Sequence, residues 1–425
     1  MKKDLEIKIG IIGLGYVGLP LAIEFSKKYK TTGFDINKNR ISELNHKLDV
    51  SGEIDRNYFE TCGNIKFTYD ESELLNCDVY IITVPTPIDD NKKPDLSALI
   101  SATTLVANLI NKDDLVIYES TVYPGATEEV CVPILEQEKG YSCNQDFLVA
   151  YSPERINPGD KEHSLKTVVK VVSGSNLKAL NLADQLYSSI VTAGTYRASS
   201  IKIAEAAKVI ENTQRDINIA LVNELAKLFN KMKIDTYEVL EAAGSKWNFM
   251  PFTPGLVGGH CIGVDPYYLT AKASQLNINT EMILAGRKTN EGMANYIASA
   301  LVNRMNELNI VPQKSRVLIM GFTFKENCSD IRNTKVFDLY KELEEYGIMC
   351  DVTDPICNVS EVESEYKITI INEIRKNFYD GVILAVKHNE YSAMAFESVN
   401  KLVKRNGIIY DLKNIYKNNS EVLKL

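Results

Sequence analysis

The 425-residue chain holds one tryptophan and four histidines, and its eight cysteines form no CxxC pair. Histidines this sparse, at no ligand spacing, build no zinc-type cluster, so no metal is expected. Cysteines scattered over positions 62, 77, 131, 143, 261, 328, 350 and 357 do not make a disulfide framework in a chain this large. No apolar run approaches the roughly 20 residues of a membrane span. From the charged start, Met1 to Lys8, no secretory leader is expected. A cytoplasmic protein is the expectation. With 48 basic against 56 acidic residues the net charge is −8. That balance argues against nucleic-acid binding and requires a locally basic pocket for any anionic substrate.

What is present is an apolar fraction of 45% and a charged fraction of 24%, ordinary for a globular protein, at a length that supports two or three cores. Short β-branched runs at 7–12, 31–35, 65–68, 79–84, 115–119, 147–151 and 168–173 lack alternation, as buried parallel strands do. Amphipathic stretches such as 19–28 and 96–109 separate them, which makes residues 1–197 a doubly wound α/β domain. Residues 201–231, without proline or glycine, read as one helix roughly 46 Å long. It is apolar over most of its circumference (Ile203, Ala207, Ile210, Ile217, Leu221, Leu225, Phe229), which predicts burial on two sides. Helices at 237–243, 268–274 and 282–308 complete a central region, 198–310. Strands at 316–320, 348–353, 381–386 and 407–411, with a helix at 334–345, make 311–425 a second, smaller α/β domain without a glycine fingerprint.

Gly13-Leu14-Gly15-Tyr16-Val17-Gly18 follows the first strand and opens a helix, and Asp35 ends the next strand about 20 positions on. Glycines there let the backbone approach a pyrophosphate, and a carboxylate at Asp35 suits ribose hydroxyls and repels a 2′-phosphate. NAD is the expected cofactor, with Lys38 and Arg40 as nearby cations. Thr86 and Thr121, in loops after later strands, are candidates for the nicotinamide half, with helix capping as the bland alternative.

Glu205, Lys208, Asn212 and Arg215 recur at i+3 and i+4 steps on the long helix, so they share one face. Elsewhere a polar stripe is the solvated side; among apolar faces it points to an enclosed site. Cys261 sits in Gly258-Gly259-His260-Cys261-Ile262-Gly263, where glycines admit backbone and ligand, and Asp265 follows one turn later. An ammonium such as Lys208 stabilises a thiolate or a developing alkoxide. A hydride acceptor together with a reactive thiol suits a four-electron oxidation of a primary alcohol to a carboxylate through a thioester.

These motifs resemble the UDP-glucose and GDP-mannose dehydrogenases, the nucleotide-sugar 6-dehydrogenases, over essentially the whole chain. Gly13–Gly18, Ala204-Glu205-Ala206-Ala207-Lys208 through Asn212, Gly258-Gly259-His260-Cys261 with Asp265, and Gly321-Phe322-Thr323-Phe324-Lys325 through Arg332 carry the likeness. The resemblance implies Cys261 as nucleophile. Lys208, Asn212 and Asp265 would serve proton transfer, oxyanion and water, and Thr121 and Glu154 match further catalytic positions. It implies Gly258, Phe324, Lys325 and Lys413, with Lys208, Asn212 and Arg215, around a sugar nucleotide, and Arg332 at cofactor and substrate. It also implies two Rossmann-like domains joined by the long helix as the core of a homodimer. Tyr151-Ser152-Pro153-Glu154-Arg155-Ile156-Asn157-Pro158-Gly159 has proline where UDP-glucose enzymes carry a second glutamate. It resembles the branch acting on UDP-N-acetylhexosamines, with Arg155 and Ile156 near the sugar. Either Glu154 or Asp265 then activates water. UDP-GlcNAc or UDP-GalNAc is the expected substrate, UDP-glucose or UDP-ManNAc the competitor, and surface polysaccharide such as capsule the implied destination. The rival readings are a two-electron dehydrogenase with an inert thiol and a non-catalytic NAD-binding regulator.

Overall fold

A computed structural model describes residues 7–50, 54–155, 164–259, 261–417 and 419–425. The chain divides into two compact units, Met1–Glu211 with Tyr267–Asn279, and Asn212–Pro266 with Thr280–Leu425. Both are α/β.

The first unit is built on eight strands: β1 (Lys8–Ile12), β2 (Lys30–Phe34), β3 (Ile65–Thr68), β4 (Val79–Ile82), β5 (Leu115–Tyr118), β6 (Leu148–Tyr151), β7 (Lys170–Gly174) and β8 (Thr195–Arg197). Their order is β3-β2-β1-β4-β5-β6-β7-β8. Ile9, Ile11, Ile81, Ile117 and Ala150 are fully buried in its core, as expected for strands covered on both faces. One pairing departs from the parallel expectation: β6 and β7 run antiparallel, Ala150 opposite Gly174 and Tyr151 opposite Ser173. Among the described residues between them no helix returns the chain in the same sense. The order reverses direction between β1 and β4, and ligand crevices form outside the strand ends at such a point.

The second unit carries β9 (Arg316–Met320), β10 (Met349–Thr353), β11 (Tyr379–Leu384), β12 (Val403–Asp411) and β13 (Leu423–Lys424) in the all-parallel order β10-β9-β11-β12-β13. Val317 to Met320 and Val382 to Leu384 are fully buried. The two sheets share one device. Gly13 ends β1 at φ +94° and donates its N–H to Phe34 O (2.9 Å), while Asp35 Oδ2 accepts Leu14 N–H (2.9 Å). Gly321 ends β9 at φ +96° and donates to Thr353 O (2.8 Å), while Asp354 Oδ2 accepts Phe322 N–H (2.7 Å). The left-handed φ explains glycine at both places.

The long helix runs Ile201–Met232. Ile201, Ala204, Val209, Ala220, Val222 and Ala226 are buried on it, whereas Ile203, Ile210, Leu221, Leu228 and Met232 stand at least half exposed in the single chain. Beyond it, the stretch expected as one helix over 282–308 is two, Glu281–Glu291 and Met293–Glu307, because Gly292 takes φ −76°, ψ 0° and interrupts the helical backbone. Among the described residues no helix is long and apolar enough to cross a membrane.

Candidate active site

The glycine turn explains its own sequence. A Cβ on Gly18 would lie 1.9 Å from Gly13 O and 2.4 Å from Thr83 Oγ1, so no side chain fits. A Cβ on Gly15 would meet nothing within 4 Å, which leaves the side of the turn open. The helix Gly18–Ser26 begins there without a side-chain cap, so its N-terminal N–H groups remain for an anion. Asp35 is half-buried and also accepts Asn37 N–H (2.9 Å), which fixes the carboxylate beside the turn. Arg40 donates from Nε to Leu14 O (3.0 Å) and pairs with Asp49 at 2.7 Å, so its charge is answered inside the protein. Turn, helix start and carboxylate together fit a dinucleotide, Gly13, Gly15 and Gly18 at the pyrophosphate and Asp35 at the ribose.

Two loops flank this crevice. Thr86 Oγ1 donates to Thr121 O (2.6 Å) and Ser120 Oγ to Val84 O (2.6 Å), stitching the loops after β4 and β5 together. Tyr268 donates to Thr86 O (2.7 Å) and pins the pair. Glu205, fully buried, accepts Gly125 N–H (2.5 Å) and Thr127 N–H (2.9 Å). Burial pushes its carboxyl up against the effect of those hydrogen bonds. It therefore caps the segment that follows the Thr121 loop. Lys208, one turn on, is 8% exposed, and no hydrogen bond or ion pair among the described residues engages its ammonium.

Glu154 follows β6, as Thr121 follows the neighbouring β5, and belongs to a buried cluster absent from the sequence reading. Lys170 Nζ lies 2.7 Å from Glu119 Oε2 and 3.0 Å from Glu154 Oε2. Tyr187 donates its hydroxyl to Glu119. Burial, with Glu154 adding to it against the counter-effect of Lys170, pushes the Glu119 carboxyl up to about 7. Burial works against the Lys170 ammonium, but the two carboxylates hold its pKa above the ordinary range. The sequence signal was a lysine inside the apolar run Val168-Val169-Lys170-Val171-Val172. Arg155 reaches Val169 O (3.0 Å) and Glu211 (2.8 Å). Ile156, Pro158 and His260 lie outside the described residues.

In the second unit, Cys261 is partly exposed, and its carbonyl accepts Val264 N–H (3.1 Å) and Asp265 N–H (2.8 Å) at the start of the helix Asp265–Gln275. Asn212 Nδ2 donates to Asp265 Oδ2 (2.6 Å), and Asp265 is 2% exposed. The Cys261 backbone, the Asp265 carboxylate and the Asn212 amide are thus tied together. The Cys261 loop is bound to the loop after β9. Gly259 N–H donates to Asn333 O (3.1 Å), and Asn333 Nδ2 donates to Gly259 O (2.8 Å). A Cβ on Gly259, at φ +85°, would lie 2.7 Å from the Phe324 ring, and one on Gly258 2.6 Å from Asn333 O. Asn333, missed in the sequence, shows itself only through its own φ of +51°. Lys325 is partly exposed in this loop. Lys413 pairs with Glu326 (3.2 Å), Arg332 with Asp330 (2.7 Å), and Arg215 is exposed. His388 and Asp354 hold the loop from beneath: His388 Nδ1 accepts Asn327 N–H (3.1 Å) and Nε2 lies 3.1 Å from Asp354 Oδ2. The lone tryptophan, Trp247, is 92% exposed in the single chain and is not part of a packed core.

Residues 7–191 match the NAD binding domain of the UDP-glucose/GDP-mannose dehydrogenase family, 202–292 its central domain and 318–418 its UDP binding domain. The chain belongs to this family. It is accordingly an NAD-dependent nucleotide-sugar dehydrogenase. It is 54% identical over 420 residues to the UDP-N-acetyl-D-glucosamine 6-dehydrogenase of Pseudomonas aeruginosa, covering 99% of this chain and 100% of that protein. It is 53% identical to the enzyme of the same name from Salmonella typhi, over 96% of each, and 51% identical to protein CapL of Staphylococcus aureus, again over 96% of each. A solved UDP-D-ManNAc dehydrogenase from Pyrococcus horikoshii superposes with a TM-score of 0.89 at 32% identity, over 98% of each chain.

Proposed function

We propose that this dehydrogenase oxidises C6 of UDP-N-acetyl-D-glucosamine to the uronate, as the enzymes from Pseudomonas aeruginosa and Salmonella typhi are named for doing. The observation that carries the chemistry is the partly exposed Cys261 thiol, one turn before an Asp265 held by Asn212. NAD, bound at Gly13–Gly18 and Asp35, supplies the acceptor for a hydride in each of two oxidations. The Lys208 ammonium holds the substrate oxygen and steadies its developing negative charge, the hydroxyl proton passing to water, as the aldehyde forms. Cys261 adds to that aldehyde as a thiohemiacetal, whose oxidation leaves a thioester. Asn212 donates to the oxyanion. Glu154 takes the proton of the attacking water, the C–S bond breaks, and the thiol is restored. Thr121 and Thr86 line the nicotinamide side, and Arg332 reaches cofactor and substrate. Arg155 lies along the sugar, Gly258 and Phe324 close over the nucleotide, and Arg215, Lys325 and Lys413 answer the diphosphate.

The partner we infer is a second copy of this chain. Ile203, Ile210, Leu221, Leu228 and Met232 are exposed, and their spacing returns each to one face of a 3.6-residue helix. That stripe is the apolar seam of a homodimer. The deciding experiment measures NADH and uronate from a panel of UDP-sugars. Two NADH per sugar, fastest with UDP-GlcNAc, is expected. One NADH per sugar removes the thioester, and a preference for UDP-ManNAc or UDP-glucose removes the substrate assignment.

A further inference from the structure

We propose that Lys170 and Glu119 are positioning residues that set the protonation state of Glu154, and with it the pH at which the thioester is hydrolysed. The inference rests on the assignment of Glu154 as the group that receives a proton from water.

The antiparallel turnback from β6 to β7 is what makes the arrangement. Glu119 and Glu154 follow β5 and β6, and Lys170 opens β7. Lys170 is 2% exposed, Glu119 1% and Glu154 8%, so the carboxylate nearest to solvent is the one given the chemistry. One ammonium therefore serves two buried carboxylates, at 2.7 and 3.0 Å. A buried cation beside a carboxylate favours its ionised, basic form, and a second carboxylate beside the same cation opposes it. Further described groups face the cluster. The Tyr187 hydroxyl donates to Glu119, and its ring lies 5.3 Å from Lys170 Nζ. The backbone N–H of Arg155 donates to Glu154 Oε1 (2.7 Å), while its guanidinium turns to Val169 O and to Glu211. Burial pushes Glu119 up to about 7, and the Glu154 carboxylate, which shares its counter-charge, adds to that rise. A pair sharing one cation titrates as a unit, so altering either partner moves the other.

The hydrolytic step needs no further reactant. The water oxygen bonds to the thioester carbon, its proton passes to Glu154, and the electron pair of the broken C–S bond leaves with the Cys261 sulfur, which is then reprotonated. Only the ionised form of Glu154 accepts that proton, so uronate release rises with pH through the Glu154 titration.

The test is the pH profile of kcat for uronate release by the full-length enzyme, with UDP-GlcNAc and NAD saturating. Glu119→Gln removes the competing charge and keeps the shape, so the acid limb should move down by about one pH unit. Lys170→Gln should move it up by a similar amount, and Lys170→Arg should return it towards the wild-type position. If Lys170→Gln does not fold, Glu119→Gln and Lys170→Arg still decide. An acid limb that stays in place or moves up in Glu119→Gln, while Glu154→Gln abolishes release, overturns the proposal. Release at the wild-type rate in Glu154→Gln instead overturns the assignment of Glu154 on which it rests.

Discussion

At the scale of single residues, the site depends on atoms that have no substitute. Cys261→Ser should leave UDP-GlcNAc binding within about threefold by calorimetry, since a hydroxyl keeps the size of the side chain, and should abolish uronate formation because it lacks thiolate reactivity. Uronate at the wild-type rate would refute the covalent route. Gly18→Ala puts a methyl 1.9 Å from Gly13 O, so the turn must open. NAD affinity should fall at least about tenfold by fluorescence titration, as lost backbone hydrogen bonds of roughly 1 kcal/mol each would give. The glycine fingerprint, Asp35, Cys261 and Asp265 were legible in the sequence because each belongs to a local spacing, and Asn212 because it shares a helix face with Lys208. Lys170 and Asn333 were not. Their partners lie far away in the chain, Glu119 and Gly259, and only the fold supplies those distances.

Elements were legible where a period or an apolar run was long. The helix Ile201–Met232 and the strands β1 and β9 fall within a residue or so of the expected bounds. The reversed β7 and the break at Gly292 were missed, because strand direction and a one-residue interruption leave little trace in hydrophobic pattern. The loop after β9 shows how an element terminus is held. Burial pushes the Asp354 carboxyl up, but the His388 hydrogen bond and the N–H groups of Phe322 and Ile356 outweigh it and hold it below the ordinary aspartate range. A depressed carboxyl contributes stability above its unfolded pKa and loses it as pH falls through the folded one. Asp354→Asn should therefore lower Tm by several degrees at pH 7, and the deficit should shrink below about pH 4. A deficit that is constant from pH 7 to pH 3, read by calorimetry, would show that the charge of Asp354 is not what holds the loop.

At the scale of the molecule, α/β class and two nucleotide-type sheets were legible from alternating runs, while the exposed side of the long helix was not. The sequence shows apolar residues around its circumference; only the fold shows that Ile210, Leu221 and Leu228 stay uncovered in one chain. Paired charge on that face opposes burial against a copy of itself, so Leu221→Glu with Leu228→Glu should convert a dimer to a monomer in sedimentation velocity. An unchanged sedimentation coefficient would place the interface elsewhere. The glycine and aspartate at the ends of β1 and β2 have counterparts at the ends of β9 and β10. The two aspartates differ in what else they hold. In the later copy Asp354 is spent on Phe322, Thr323, Ile356, Cys357 and His388. No oxygen is left there to greet an adenosine, so the second turn is closed by the protein's own backbone where the first stands open.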